Sequence, residues 1–249
     1  LYVRAYPLSS VIGRGYPLQT SLYRSIKTDG SGYDDAVLAL SPLLYYKLDG
    51  NTTTITDSGS AASNATASAT GITYQQPGLL TGGIGYSVTV ASPGLITSPR
   101  LAAMDGAYSA AVICKPSSLS GGLGIYQKGD SSVGGEQGHI VSLLSDGKIS
   151  VSLFNGSWLN ATSSASAISD NEKAVFVFVY DGATNFKIYK NGSIFEALTL
   201  PAAFVSNTRA LHIAALYSGG VGYSFVGGFD EFAWFTTQLT AQNVSDLYE

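Results

Sequence analysis

Gly227-Gly228-Phe229-Asp230-Glu231-Phe232-Ala233-Trp234-Phe235-Thr236-Thr237-Gln238-Leu239-Thr240-Ala241-Gln242-Asn243-Val244-Ser245-Asp246-Leu247-Tyr248-Glu249 closes the chain. Its first half reads as one aromatic strand. Strict alternation puts Phe229, Ala233 and Phe235 on one face and Phe232 and Trp234 on the other. Both faces are apolar, so one meets a core and the other needs a cover. That cover is the terminal helix, the N-terminal segment or another subunit. The same alternation sends Asp230 and Glu231 to opposite faces. Thr240 is a good helix N-cap, because its hydroxyl accepts from the free N–H groups of the first turn. Val244, Leu247 and Tyr248 then recur at helical spacing as one apolar stripe.

Upstream, short strands follow one another at close intervals. Tyr108–Lys115, Gly124–Lys128 and His139–Leu144 come first, and Asp146-Gly147 turns into Lys148–Phe154 as a hairpin. Ala174-Val175-Phe176-Val177-Phe178-Val179-Tyr180 is nearly all apolar, which predicts a central strand covered on both faces. Phe186–Lys190 alternates, and Asn191-Gly192 offers the positive-φ positions of a type I′ turn into Ile194-Phe195-Glu196. Leu43–Leu48 predicts the first core strand, after a short helix that Asp34 or Asp35 caps and that runs to Leu40.

Residues 1–33 differ from the rest. Arg4-Ala5-Tyr6-Pro7-Leu8 is echoed by Arg14-Gly15-Tyr16-Pro17-Leu18, and Tyr23 and Arg24 follow. Proline removes a backbone donor and keeps its predecessor extended, so the segment reads as an extended arm with a Gly-Ser-Gly hinge at 30–32. A flexible tail is the plain alternative. Tyr, Leu and Arg are residues that anchor interfaces, which favours an arm lying on another chain. The partner-binding candidates are Arg4, Tyr6, Pro7, Leu8, Arg14, Tyr16, Pro17, Leu18 and Tyr23.

The order of these motifs resembles laminin-G-like, concanavalin A-like lectin/glucanase jelly-roll domains. Leu48-Asp49, Asp57-Ser58-Gly59, Pro77-Gly78-Leu79, the Tyr-x-Asn-Gly hairpin, Asp230-Glu231-Phe232 and Leu239-Thr240 through Leu247-Tyr248 fall in the family's order over residues 35–249. The resemblance implies an all-β, antiparallel jelly-roll β-sandwich at 34–249 with a short C-terminal helix, preceded by the extended arm at 1–33. An anchoring arm joined to such a domain is similar to structural proteins of tailed-phage virions, capsid decoration or tail and fibre components. The implied role is docking on other virion proteins, as a homo-oligomer, with the sandwich displayed at the virion surface for host-glycan adsorption. A carbohydrate-binding module of a secreted or cell-surface protein is the alternative.

Composition sets limits. Of 249 residues only 12% are charged, with a net charge of −4, so a nucleic-acid interface is not expected. No run of about 18 apolar residues occurs that would cross a membrane as a helix. Cys114 stands alone, so no internal disulfide forms. Glycoside hydrolysis needs two carboxylates across a bond, and no Glu-x-Asp-x-x-Glu run is present. The expectation is therefore a non-enzymatic domain with no catalytic residue. His139 and His212 lie in apolar strands without zinc-ligand spacing.

Sugar binding wants an exposed aromatic platform and hydrogen-bonding neighbours. Trp158, within Asn155-Gly156-Ser157-Trp158-Leu159-Asn160, is the first candidate, and Tyr217 and Tyr223 beside a glycine-rich loop are the next. Each could instead pack at the sandwich rim. By resemblance alone, Ca²⁺ is the one metal to consider, with Asp57 and Asp230 as ligands. The alternatives are an Asx turn at Asp57 and backbone bonding at Asp230. Six Asn-x-Ser/Thr triplets, at Asn51, Asn64, Asn155, Asn160, Asn191 and Asn243, are expected by chance in so Ser/Thr-rich a chain.

Overall fold

The aromatic run Gly227–Phe235 forms a single nine-residue strand, and it is the backbone of one face of a sandwich. The computed structural model describes residues 31–80, 85–129, 138–154, 157–205, 207–217 and 221–248. In chain order the elements are α1 (Ser31–Ala39), β1 (Leu44–Tyr46), β2 (Thr54–Ile55), β3 (Ala65–Ala67), β4 (Ile72–Pro77), β5 (Tyr86–Val90) and β6 (Ile96–Ser98). There follow β7 (Tyr108–Pro116), β8 (Leu123–Lys128), β9 (His139–Leu143), β10 (Ile149–Phe154), β11 (Trp158–Thr162) and β12 (Ala174–Tyr180). The chain ends with β13 (Asn185–Lys190), β14 (Ser193–Thr199), β15 (Leu211–Ile213), β16 (Ala215–Tyr217), β17 (Val221–Ser224), β18 (Gly227–Phe235) and α2 (Ala241–Tyr248).

Every described strand pair is antiparallel, and the strands form two eight-stranded sheets and a small hairpin. Sheet A runs β14-β13-β12-β7-β18-β5-β4, with β1 also on β18. Sheet B runs β11-β10-β9-β8-β15-β6-β3-β2. The hairpin β16–β17 stands apart from both. The jelly-roll expectation is met, and the all-apolar strand β12 does sit inside sheet A between β7 and β13.

The main core lies between the sheets and holds Phe176, Phe178, Phe186, Phe229, Phe232 and Trp234 of sheet A with Tyr126, Val141 and Val151 of sheet B. A second, smaller layer covers the other face of sheet A. There Tyr45, Val177, Tyr189, Ala233 and Phe235 pack against Val37 of α1 and Val244 and Leu247 of α2. The two-faced strand is thus covered by both helices.

One residue breaks the expected alternation of β18. The register on β7 shifts between Asp230 and Phe232, and Glu231 takes φ +49°. Two residues face one at such a bulge, which reverses the alternation beyond it. Phe229 therefore joins Phe232 and Trp234 in the main core instead of following Ala233 and Phe235.

Local signals mostly hold. The Thr240 hydroxyl accepts from Asn243 N–H at 3.2 Å, and Asn243 Oδ1 accepts in return from Thr240 N–H at 3.0 Å. That is a reciprocal cap of the capping-box kind. Val244 and Leu247 are buried as the helical stripe predicts, whereas Tyr248 is 52% exposed. Asn191 and Gly192 adopt φ of +50° and +79° as the hairpin turn requires. At the other end, α1 begins at Ser31, so residues 31 and 32 are helical rather than a hinge. Asp34 sits in the first turn, where a negative charge suits the helix dipole, and is not its cap. Its carboxylate accepts from Tyr45 Oη at 2.5 Å and Lys47 Nζ at 2.6 Å, tying α1 to β1. The arm residues Arg4, Tyr6, Pro7, Leu8, Arg14, Tyr16, Pro17, Leu18 and Tyr23 lie outside the described residues.

Candidate functional site

Register alone assembles a feature that no single strand displays. Directly opposed residues in antiparallel strands share a face. Asn160 faces Ser152, Ser152 faces Ile140, and Ile140 faces Gln127. Gln127 faces His212, His212 faces Thr97, Thr97 faces Thr66, and Thr66 faces Thr54. One band thus crosses all eight strands of sheet B, and seven of its eight side chains are polar. A second row, Thr162, Ser150, Ser142 and Gly124, runs beside it.

This band lies on the outer face. The neighbouring positions Val141, Val151, Leu159 and Ala161 turn inward to the main core. Strand spacing of about 4.8 Å makes the band roughly 33 Å long from Asn160 to Thr54.

The hairpin β16–β17 is fixed to this face at its middle. Gln127 holds Tyr217 from both sides. Tyr217 N–H donates to Gln127 Oε1 at 2.6 Å, and Gln127 Nε2 donates to Tyr217 O at 2.9 Å. The Tyr217 ring stacks on His212 with centroids 4.7 Å apart and planes 22° from parallel. Gly124 permits the approach, because a Cβ there would lie 2.5 Å from the Ala215 carbonyl carbon and 2.7 Å from Leu216 N. Tyr223, on β17, is 59% exposed.

Trp158 begins β11, the edge strand of sheet B, and is 44% exposed. Its ring meets Phe154 edge-on at 5.3 Å. It shares the outer face with Asn160, two residues along the same strand. Trp158 and Tyr217 therefore flank the β9–β11 stretch of the band, where Asn160 is exposed, Ser152 half-buried and Ile140 buried. Four strand spacings, roughly 19 Å, separate β11 from β15 beneath Tyr217. The sequence-predicted residues thus come to one face but do not touch. Gln127, Ser152, Thr97 and His212 escaped the sequence reading as site residues. His212, in an apolar strand, reads from sequence as a core or interface histidine. Its second polar neighbour, Gln127, is 85 residues away in the chain.

The two histidines have different roles. His139 is in the interior, stacked on Phe204 at 3.8 Å and hydrogen-bonded to Tyr108 Oη at 2.9 Å. Burial first, and the Lys128 charge second, keep it neutral well below its ordinary range. Lys128 is itself buried and paired with Asp105. Cys114 is also interior, and burial pushes its thiol up to about 12.

The two metal candidates stand in separate settings. Asp57 Oδ1 accepts from Tyr45 N–H at 2.8 Å and Gly59 N–H at 2.7 Å, and Oδ2 accepts from Ser63 N–H at 2.8 Å. Its carboxylate organises the 57–63 turn and fastens it to β1. Asp230 Oδ2 accepts from Leu79 N–H at 2.8 Å. Among the described residues no group of three or more His, Cys, Asp or Glu stands together to hold a metal ion.

Asp230 and Glu231 are 1% and 6% exposed. They do not diverge to opposite faces, because the bulge intervenes and both feel the Asp34 charge on the helix side of sheet A. Burial is the main cause that lifts Asp230 to about 7. Glu231 is raised well above the ordinary carboxylate range by burial and then by Asp230.

A two-sheet antiparallel sandwich with a polar, aromatic-flanked outer face has the architecture of a lectin-like binding domain. The chain belongs to the Concanavalin A-like lectin/glucanases superfamily, whose model matches residues 90–245. Solved structures agree on the fold. Domain 4 of AbnA, a GH43 extracellular arabinanase from Geobacillus stearothermophilus solved with arabinotriose, superposes with a TM-score of 0.63 at 18% identity. That match covers 84% of this chain and 98% of that domain. The binding domain of Paraclostridial Mosquitocidal Protein 1 gives 0.62 at 13% identity, and that of Botulinum neurotoxin serotype D gives 0.61 at 12%. These cover 84% and 86% of this chain, which spans 52% of each toxin domain. No curated protein sequence matches the chain. No described helix is long and apolar enough to cross a membrane.

Proposed function

We propose that the sandwich is a non-enzymatic, carbohydrate-binding display domain that acts outside the cell, and that residues 1–33 dock it on a tailed-phage virion. The observation that carries the binding role is the outer band of sheet B. The Asn160 amide and the hydroxyls of Ser152, Thr97, Thr66 and Thr54 offer neutral donors and acceptors to sugar hydroxyls, while Gln127 and His212 are buried beneath the hairpin. Trp158 and Tyr217 offer ring faces to the apolar side of a sugar. The buried carboxylates Asp230 and Glu231 lie on the helix side of sheet A, away from the band. The repeated Arg-x-Tyr-Pro-Leu units supply the docking role, with capsid or tail proteins as partners.

Glycan-array binding tests the first part. Trp158→Ala and Asn160→Ala are each expected to weaken binding by about tenfold, which is about 1.4 kcal/mol. Both positions are surface-exposed, so stability should change by less than about 0.5 kcal/mol. Array binding unchanged in the double variant contradicts the role of this face. Removing residues 1–30, which leaves α1 intact, tests the second part. Virion attachment should be lost while the remaining chain unfolds at the same temperature. Attachment retained after the deletion contradicts the docking role.

A second reading is an accessory carbohydrate-binding module of a secreted or surface protein. It is favoured by the near-complete coverage of the arabinanase domain, which has the size of this sandwich. Co-purification with an enzyme or cell envelope rather than a particle would select it.

A further inference from the structure

At the far end of the band, a cleft opens between the edges of the two sheets. It is bounded by the loop after β1, by β2, and by Tyr74 and Val88 of β4 and β5. Its volume is about 120 Å³. A cavity of roughly 150 Å³ accepts one benzene ring, so this smaller, open cleft takes a six-membered ring in part and not a longer chain.

The wall is of two kinds. Leu48, Val88 and the Tyr74 ring make an apolar side, while Asn51, Thr54 and Asp49 make a polar one. No Lys or Arg lines it, and the one carboxylate disfavours anions. Two further observations fall on the same cleft. The Tyr74 hydroxyl is buried without a hydrogen-bond partner, a state that costs about 1–3 kcal/mol. Leu48 holds φ +59°, a left-handed conformation that costs a non-glycine residue roughly 1–2 kcal/mol. Asp49, Gly50 and Asn51, which follow Leu48 in the chain, line the opening.

We propose that this cleft binds one neutral, hydroxyl-rich ring: a free monosaccharide or the terminal residue of a glycan. One face of such a ring is apolar and fits Tyr74, Leu48 and Val88. Its hydroxyls bond Asn51, Thr54 and the Asp49 carboxylate. Thr54 is also the last member of the outer band. A glycan lying on the β6–β3–β2 end of the band, beyond the hairpin, would bring its end to the cleft. The proposal rests on the carbohydrate-binding reading of the chain but shares only Thr54 with the outer band.

The test is NMR titration of the full chain with neutral monosaccharides: glucose, galactose, mannose, arabinose and N-acetylglucosamine. At least one sugar should saturably shift the amides of Asn51, Thr52 and Thr54. Asn51→Ala and Thr54→Val, both on exposed positions, should weaken that sugar about tenfold. Asn160→Ala should leave it unchanged. Shifts confined to residues around Ser152 and Asn160 would overturn the cleft while leaving the carbohydrate-binding reading intact. Absence of saturable shifts at 49–56 with every sugar would overturn the cleft as well. Oligosaccharide binding on the array, lost with Trp158→Ala, then decides separately whether the broader reading stands.

Discussion

Trp234→Ala is expected to destabilise the domain by about 3–5 kcal/mol, the usual cost of truncating a large buried aromatic. Trp234 is fully buried at the centre of the sandwich. Its ring stacks on Tyr108 with centroids 4.1 Å apart and meets Tyr126 edge-on at 5.8 Å. Aromatic pairs of this kind add about 0.5–1.5 kcal/mol each beyond area burial. Removing the indole would also loosen the Tyr108–Tyr126–His139 hydrogen bonds, which run through Tyr108 Oη at 2.9 Å on both sides. For a domain of this length the loss corresponds to a fall in Tm of roughly 6–20 °C. Trp234→Phe should cost clearly less. It keeps a ring over Tyr108 and deletes an indole N–H that is buried without an acceptor. Chemical denaturation read by tyrosine and tryptophan fluorescence measures both. A loss below about 1.5 kcal/mol for the alanine variant would place the ring outside the core.

Stability is expected to fall as the pH rises from about 5 to about 8, the reverse of ordinary acid denaturation. Asp230 is held at about 7 in the fold against an ordinary 3.8. A carboxyl raised in this way contributes stability that is complete below its unfolded value and lost as the pH passes its folded one. The difference corresponds to about 4 kcal/mol. Glu231 works in the same direction. The charged and titratable groups around the pair are Tyr33 and Asp34 of α1, Tyr45 of β1, and Lys47 and Asp49 beyond it. Of these, the Tyr45 hydroxyl, by hydrogen bonding Glu231, and the Lys47 charge favour the ionised form, and burial outweighs both.

His139 opposes the trend. It stays neutral in the fold, so stability drops as the pH falls below its ordinary 6.5. Two carboxyls against one imidazole leave the net slope downward with rising pH. Asp230→Asn keeps an acceptor for Leu79 N–H and should flatten the slope, with higher stability than the native chain at pH 8. Urea midpoints at several pH values measure this. A midpoint that climbs from pH 5 to pH 8, or an Asp230→Asn slope equal to the native one, would contradict it.

Much of the architecture was legible because its signals are local. Asn191-Gly192 needs two positive φ values, and the Thr240–Asn243 cap needs only four consecutive residues. The apolar run Ala174–Tyr180 announces its central place by having no polar face. Misread points were those where a neighbour overrides the local rule. Glu231 alternates on paper, but the register with β7 makes it a bulge. Asp34 looks like a cap, but the Tyr45 hydroxyl and Lys47 claim its carboxylate.

The candidate site divides in the same way. Trp158 and Tyr223 were found because an aromatic in a Gly-, Ser- and Asn-rich context is exposed when it has nothing to pack on. The polar band was invisible, because it takes one residue from each of eight strands that lie far apart in the chain. By itself the sequence determined the strands, the turns, the family resemblance and the low surface charge, all set by period-two patterning and turn chemistry. Only the tertiary structure decided which face of each strand looks outward and that the helices cover sheet A. The same structure gathered Gln127, His212, Ser152 and Asn160 onto one face of sheet B, the first two beneath the hairpin. The physical reason is strand register, a long-range choice made by the packing of whole sheets, which no local stretch of residues encodes.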